Sequence, residues 1–345
     1  MSQPKISHNL SYTSILKVIL VFLIIFFLYL IREVIALVFV AVVLAAALDP
    51  FVDFFQKNKI PRAVSILVIY LVIFAVFSLV IVLLIPPVSE QVGQLAKNLP
   101  DYYERVLLGI NEIRDGGGQS ATLPEALGSL SDNLAEATKG VFTTLTGIFG
   151  GLISLISVLV IVFYLVVEEK GLKHFIRFVT PNQYQAYVTN LVDRIQVKMG
   201  LWLRGQLTLM LIVGLMTYIG LMIMGVKYAL LLALIAGLTE IIPFVGPFIG
   251  AVPAIFIAFS DSWVKAILVG VLYIIVQQLE NHILVPKVMQ KSVGLNPVIV
   301  IVAILIGGKL GGIIGALLAV PVAAMISVFL SDLMPKNKEA EVKAK

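Results

Sequence analysis

The sequence predicts an all-α integral membrane protein: about six full transmembrane helices, two broken re-entrant helical hairpins, an extracytoplasmic helical insert and a basic cytoplasmic amphipathic helix. Three observations predict it. Hydrophobic residues make up 60% of the 345 positions and charged residues 13%, far from the soluble range. Apolar runs recur at 15–31, 34–48, 63–85, 141–167, 207–224 and 264–285, near or somewhat below the length needed to span a bilayer. Two further runs, 228–259 and 297–330, are interrupted in the middle by glycine, proline and one ionisable residue.

Within the N-terminal unit, 1–85, the first two runs are divided only by Arg32 and Glu33 and are expected to form a tight helical pair. Ala45-Ala46-Ala47 looks like a signal cleavage site, but the apolar stretch before it is too long for a signal peptide and ends at Asp49-Pro50, so it is expected to be retained. Pro86-Pro87 then opens a net acidic insert, 86–140, expected to lie outside the membrane. Val88, Val92, Leu95 and Leu99 repeat at helical spacing, as do Tyr103, Val106, Ile110 and Ile113, with Gly116-Gly117-Gly118 and Leu123-Pro124 as punctuation. Two or three amphipathic helices follow, as a vestibule cap or as a plain connector.

After the span at 141–167, segment 168–206 is basic and amphipathic. Tyr184, Val188, Leu191, Ile195, Met199 and Trp202 mark an apolar face opposite Arg194, Lys198 and Arg204, which suits a helix near the inner leaflet. The unit 207–330 holds the last spans and both broken runs, and the charged tail 331–345 is expected to be disordered. Most Lys and Arg fall in 1–17, 49–62, 168–206, 286–296 and 331–345, which places these segments and both termini in the cytoplasm and attributes a pI near 9.2 to orientation, not nucleic acid.

A hydrocarbon core about 30 Å thick takes about 20 helical residues, whereas the broken runs would extend roughly 46–50 Å if straight. They are too long for one crossing and too short for two. Hairpins entering from opposite faces fit, because non-helical backbone at membrane depth survives only against protein or a water-filled cavity. The breaks centre on Pro243, Gly246 and Pro247 in the first and on Gly307, Gly308, Gly311 and Gly312 in the second. Gly246 to Gly250, Gly307 to Gly311 and Gly311 to Gly315 are small-xxx-small spacings that allow close packing. The two breaks echo each other, as an inverted repeat for alternating access would.

Glu240 stands just before the first break and Lys309 within the second. Charge at membrane depth is costly and usually functional, so both are candidates for a substrate or ion path, with direct pairing of the two across the hairpin tips as the structural alternative. Gln277, Glu280 and Asn281 share a helix face at i, i+3 and i+4 and are candidates for a polar track, or for a brace on the second hairpin. His282 falls off that face. No cysteine is present, which removes disulfides and thiolate chemistry. Neither a zinc-protease motif nor a serine-hydrolase elbow occurs, and Gly308-Lys309-Leu310 lacks the hydroxyl residue of a phosphate loop, so no enzyme, cofactor or metal site is expected.

From Trp202 to Val328 the order of landmarks resembles the autoinducer-2 exporter family of bacterial multi-span permeases. The matching residues are Arg204-Gly205-Gln206, Gly225-Val226, Ile242 to Pro247, Glu280-Asn281 with Leu284-Val285-Pro286, Gly294 to Pro297, Gly307-Gly308, Gly315 and Ala319-Val320-Pro321. The chain departs from the family pattern at Gln290, where glycine is frequent, and at Asn296, where histidine is. The resemblance implies a bacterial inner-membrane transporter exporting a small polar solute such as autoinducer-2, or exchanging Na⁺ or Li⁺ for H⁺. It also implies a homo-oligomer, with a pentamer as the candidate assembly. Rival readings are an oligomeric passive channel and a non-transporting membrane scaffold.

Overall fold

The computed structural model describes residues 12–114, 152–168, 171–289 and 294–333. The later part of the expected insert with its Gly116–Gly118 and Leu123-Pro124 punctuation, the start of the 141–167 run, Gln290 and the end of the tail lie outside the described residues. The described residues form helices: α1 Tyr12–Leu30, α2 Arg32–Lys57, α3 Arg62–Arg114, α4 Leu152–Val167, α5 Gly171–Val179, α6 Gln185–Ile223, α7 Ala229–Thr239, α8 Gly246–Asp261, α9 Trp263–Leu279, α10 Val285–Met289 and α11 Pro297–Leu333. A π-helical turn, Glu280–Leu284, joins α9 to α10. Among the described residues, five stretches are long and apolar enough to cross a membrane: Arg32–Lys57, Arg62–Leu95, Asn182–Ile223, Trp263–Met289 and Pro297–Asp332. Ile19–Leu30 and Leu155–Val167 are apolar and shorter, so among the described residues four of the six expected full spans have a helix of crossing length.

Alanine lets α2 sit among three neighbours. Its Ala41, Ala45 and Val52 pack on Ile66 and Ile69 of α3 and Val158, Val162 and Val166 of α4, while Val43 and Ala46 face Met199 and Trp202 of α6. The crossing with α6 is close enough that a methyl on Gly200 would lie 2.2 Å from the Ala46 carbonyl oxygen. Arg62 gathers these helices at one end: its guanidinium donates to Asp49 at 2.9 Å, to Asp53 at 2.8 Å and to the Val166 carbonyl at 2.9 Å. The tight pair expected of α1 and α2 does not form. Ile31 N bonds Phe27 O and Ile35 N bonds Ile31 O, and Ile31 alone bends the path (φ −94°, ψ 13°), which kinks a helix without reversing it.

Helices run unbroken across two of the expected boundaries. α3 runs through Pro86-Pro87 into the predicted insert without a break. Each proline removes a helical N–H and crowds the preceding turn; burial of Val92, Leu95 and Tyr102 against α7, α8 and α9 offsets that cost. Likewise α6 carries the amphipathic segment straight into the apolar one, past the predicted division at 206.

Both broken runs fold back. In the first, α7 and α8 are antiparallel: a methyl on Gly246 would meet the Thr239 carbonyl oxygen at 2.3 Å, and one on Gly250 the Ala236 Cα at 2.9 Å. Thr239 Oγ1 lies 2.7 Å from Ile235 O and 2.9 Å from Gly246 O, one hydroxyl serving both arms. In α11, Gly311 (φ −136°, ψ 17°) and Gly312 (φ 59°, ψ −141°) leave helical geometry, the latter in a left-handed region that glycine enters without a Cβ clash. Gly307 and Gly315 then touch, a methyl on either falling 2.3 or 2.0 Å from the other's carbonyl oxygen. In a straight helix these residues would stand about 12 Å apart.

Candidate functional site

α7 ends at Thr239 because Pro243 and Pro247 supply no N–H and Phe244 takes φ 66°, a left-handed conformation rare for a bulky side chain. Pro247 is pre-shaped for the first turn of α8, where its missing donor is not needed. Glu240 is therefore the first residue past the helix. Its backbone carbonyl, freed from helical bonding, accepts from Gln206 Nε2 at 2.6 Å, so α6 holds the break by a buried side-chain bond.

The Glu240 side chain is 1% exposed and that of Glu280 5%. Their carboxyl groups are close neighbours, and Glu240 Oε2 finds no hydrogen-bond partner among the described residues. A bond between two carboxyls needs a proton on one of them. Two carboxyls this close and this buried are placed to share one proton between α7's end and the π-turn. No Lys, Arg or His lies within ion-pair reach of either carboxyl among the described residues.

Glu280 opens the π-turn, whose extra residue re-aims the side chain toward the first hairpin. Gln277 Nε2 lies 3.3 Å from Glu280 Oε2 and 3.3 Å from Asn281 Oδ1. Asn281 is exposed and Gln277 half-buried, so polar groups step from the surface to the buried pair along the face that the i, i+3, i+4 spacing marks out. Tyr273 OH donates to Gly250 O at 3.0 Å and fastens α9 to α8 beside them. His282 is exposed, its Nδ1 3.0 Å from Gln278 O.

Lys309 lies elsewhere. It is exposed at the second break, and the Glu240–Lys309 pairing weighed from the sequence is not formed. The hairpins touch through apolar groups instead: Ile242 packs on a cluster containing Ile304, Ala319 and Val320. Gly307 and Gly308 sit at the folded-back contact, whereas Gly311 and Gly312 face open space. Gln206, which the sequence marked only as a landmark before a span, is the residue that reasoning missed. Its signal was an amide within an apolar helical stretch, next to Gly205.

The chain that builds this site is matched along nearly its whole length, residues 17–334, by a family model described as AI-2E family transporter. The chain belongs to the AI-2E transporter family. YueF of Bacillus subtilis (strain 168) is 29% identical over 297 residues, covering 83% of this chain and 80% of YueF. YrrI of the same strain is 30% identical over 293 residues, covering 81% of each. PerM of Escherichia coli (strain K12) is 26% identical over 286 residues, covering 76% and 77%. The names of YueF and YrrI class them provisionally with transport proteins, and that of PerM with permeases. As an AI-2E family member with several apolar helices of crossing length, the chain is a multi-pass membrane transport protein.

Proposed function

We propose that this AI-2E family chain is a secondary transporter of a bacterial inner membrane, and that the buried Glu240–Glu280 pair is its proton-binding site. The single observation that supports this reading is the contact of two carboxyl groups, both almost wholly buried, with one oxygen lacking an N–H donor. Losing the shared proton would leave two like charges in a medium of low polarity, a state that a hairpin can relieve by moving one away. In this reading the two hairpins are re-entrant from opposite faces, the termini are cytoplasmic, and copies of the chain assemble as a homo-oligomer. Gln277 and Asn281 form the route between the pair and the surface, and Lys309 contributes to the path from the second hairpin. The cargo is a small polar solute of the autoinducer-2 kind, or Na⁺ exchanged for H⁺.

Sealed vesicles containing the purified protein and an entrapped pH dye test it. Imposed Na⁺, Li⁺ and solute gradients should drive proton movement in wild type and none in Glu240→Gln or Glu280→Gln. Wild-type proton movement in both variants would remove the pair from the mechanism. Ohmic single-channel current would favour a passive channel instead.

A further inference from the structure

Far from the carboxyl pair, the root of the first hairpin is held in an unusual way. Tyr228, the residue before α7, has φ 59°, and Phe244 at the other end of the same segment has φ 66°. Both are bulky residues in a region where a side chain crowds its own backbone, and such residues persist only where their surroundings hold them. α7 is thus bracketed by a strained joint at each end.

The surroundings that hold Tyr228 come from the outer part of α3. Asn98 Nδ2 donates to the Tyr228 hydroxyl at 3.2 Å, and the hydroxyls of Tyr102 and Tyr228 lie 3.0 Å apart. Their rings meet edge to face with centroids 6.3 Å apart. Gln91 Oε1 accepts from Leu231 N at 3.0 Å, capping the first turn of α7 from another helix. Lys227, next in line, lies 5.7 Å from the Tyr102 ring and 3.9 Å from Asp261. Below this arm, residues 71–83 of α3 are all exposed. At about 100° per residue that run covers every side of the helix, so over some 20 Å α3 leans on nothing else among the described residues. Among them, α3 meets the rest of the chain on either side of that run.

We infer that residues 88–102 of α3 are a clasp which keeps α7 docked by holding Tyr228 in its left-handed conformation, and that undocking the clasp lets α7 pivot about Tyr228 and Phe244. The polar attachments are phenol and amide bonds that water can replace, beside the apolar packing of Val92, Leu95 and Tyr102, and release would relieve the strain at Tyr228. A pivot of about 20° at the root of an 11-residue helix displaces its far end by roughly 5 Å. That end carries Glu240. The clasp therefore links the outer insert to the hairpin break mechanically, whatever ion or solute the protein handles.

Because the chain lacks cysteine, spin labels can be placed at will. One pair on Leu238→Cys and Ile274→Cys, both exposed, reports α7 against α9; a control pair on Val197→Cys and Ile274→Cys reports α6 against α9. In lipid nanodiscs the intact clasp should give one narrow distance for the first pair. Gln91→Ala with Asn98→Ala should add a second distance displaced by about 5 Å, with the control pair unchanged. An unchanged first pair would overturn the inference, as would equal broadening of both pairs, which would make the arm a general stabiliser. If the double variant does not fold, Tyr228→Phe, which keeps the ring and removes both hydroxyl contacts, carries the same two readings.

Discussion

The two hairpins solve one problem in opposite ways. Each must reverse an apolar helix; the first does it with proline and a carboxylate, the second with paired glycines. Proline ends α7 abruptly and leaves the Glu240 carbonyl and carboxyl in need of partners, so Gln206 and Glu280 converge on it. Gly311 and Gly312 reverse the chain with no side chain to satisfy, and their neighbours Leu310 and Ile313 stay 78% and 76% exposed. Proline draws neighbouring side chains inward, while glycine leaves a tip that the described residues do not cover. Chemistry has accumulated at the first.

The sharpest way to break this contrast is to neutralise each ionisable residue in turn. Glu240→Gln is expected to abolish proton-linked flux in vesicles while leaving thermal unfolding within about 1 kcal/mol of wild type, because the amide keeps a hydrogen bond to Glu280. Lys309→Gln should retain most of that flux; equal loss in both would make the hairpins functional equivalents. Next in size is Gly315→Val, whose side chain would strike the Gly307 backbone and should cost on the order of 3 kcal/mol or more, read as a drop in melting temperature in detergent. Gln206→Ala leaves the Glu240 carbonyl buried without its donor and should cost about 1–3 kcal/mol in the same assay. The smallest effect separates the two central glycines. Gly312→Ala, at φ 59°, should cost about 1 kcal/mol, and Gly311→Ala, at φ −136° with open space around it, close to nothing.

Much of this contrast was legible in the sequence. A run longer than one crossing with Pro243 or Gly311-Gly312 at its centre is expected to fold back, and Gln277, Glu280 and Asn281 fall on one helix face by their spacing. What stayed hidden was which residues meet across distance. Glu240 and Glu280 stand 40 positions apart, in separate helices, and local periodicity says nothing about the register of two helices against each other. Lys309 was the natural partner on charge alone, but the hairpins meet at Ile242 and the second tip turns away. The course of α3 through Pro86-Pro87 was unreadable for a similar reason. Local cost argued for a break, and the compensation lies in Val92, Leu95 and Tyr102 reaching a hairpin encoded more than a hundred residues later.

Arg62 carries a consequence for biosynthesis. Its Nε bonds the carbonyl of Val166, 104 positions downstream, while Asp49 and Asp53 are made just before it. At about 5–20 residues per second, the ribosome needs roughly 5–20 s to deliver that last acceptor. Through that interval the nascent α2–α3 unit carries a guanidinium with its set of acceptors incomplete, so the order in which helices leave the translocon is written into the fate of one side chain.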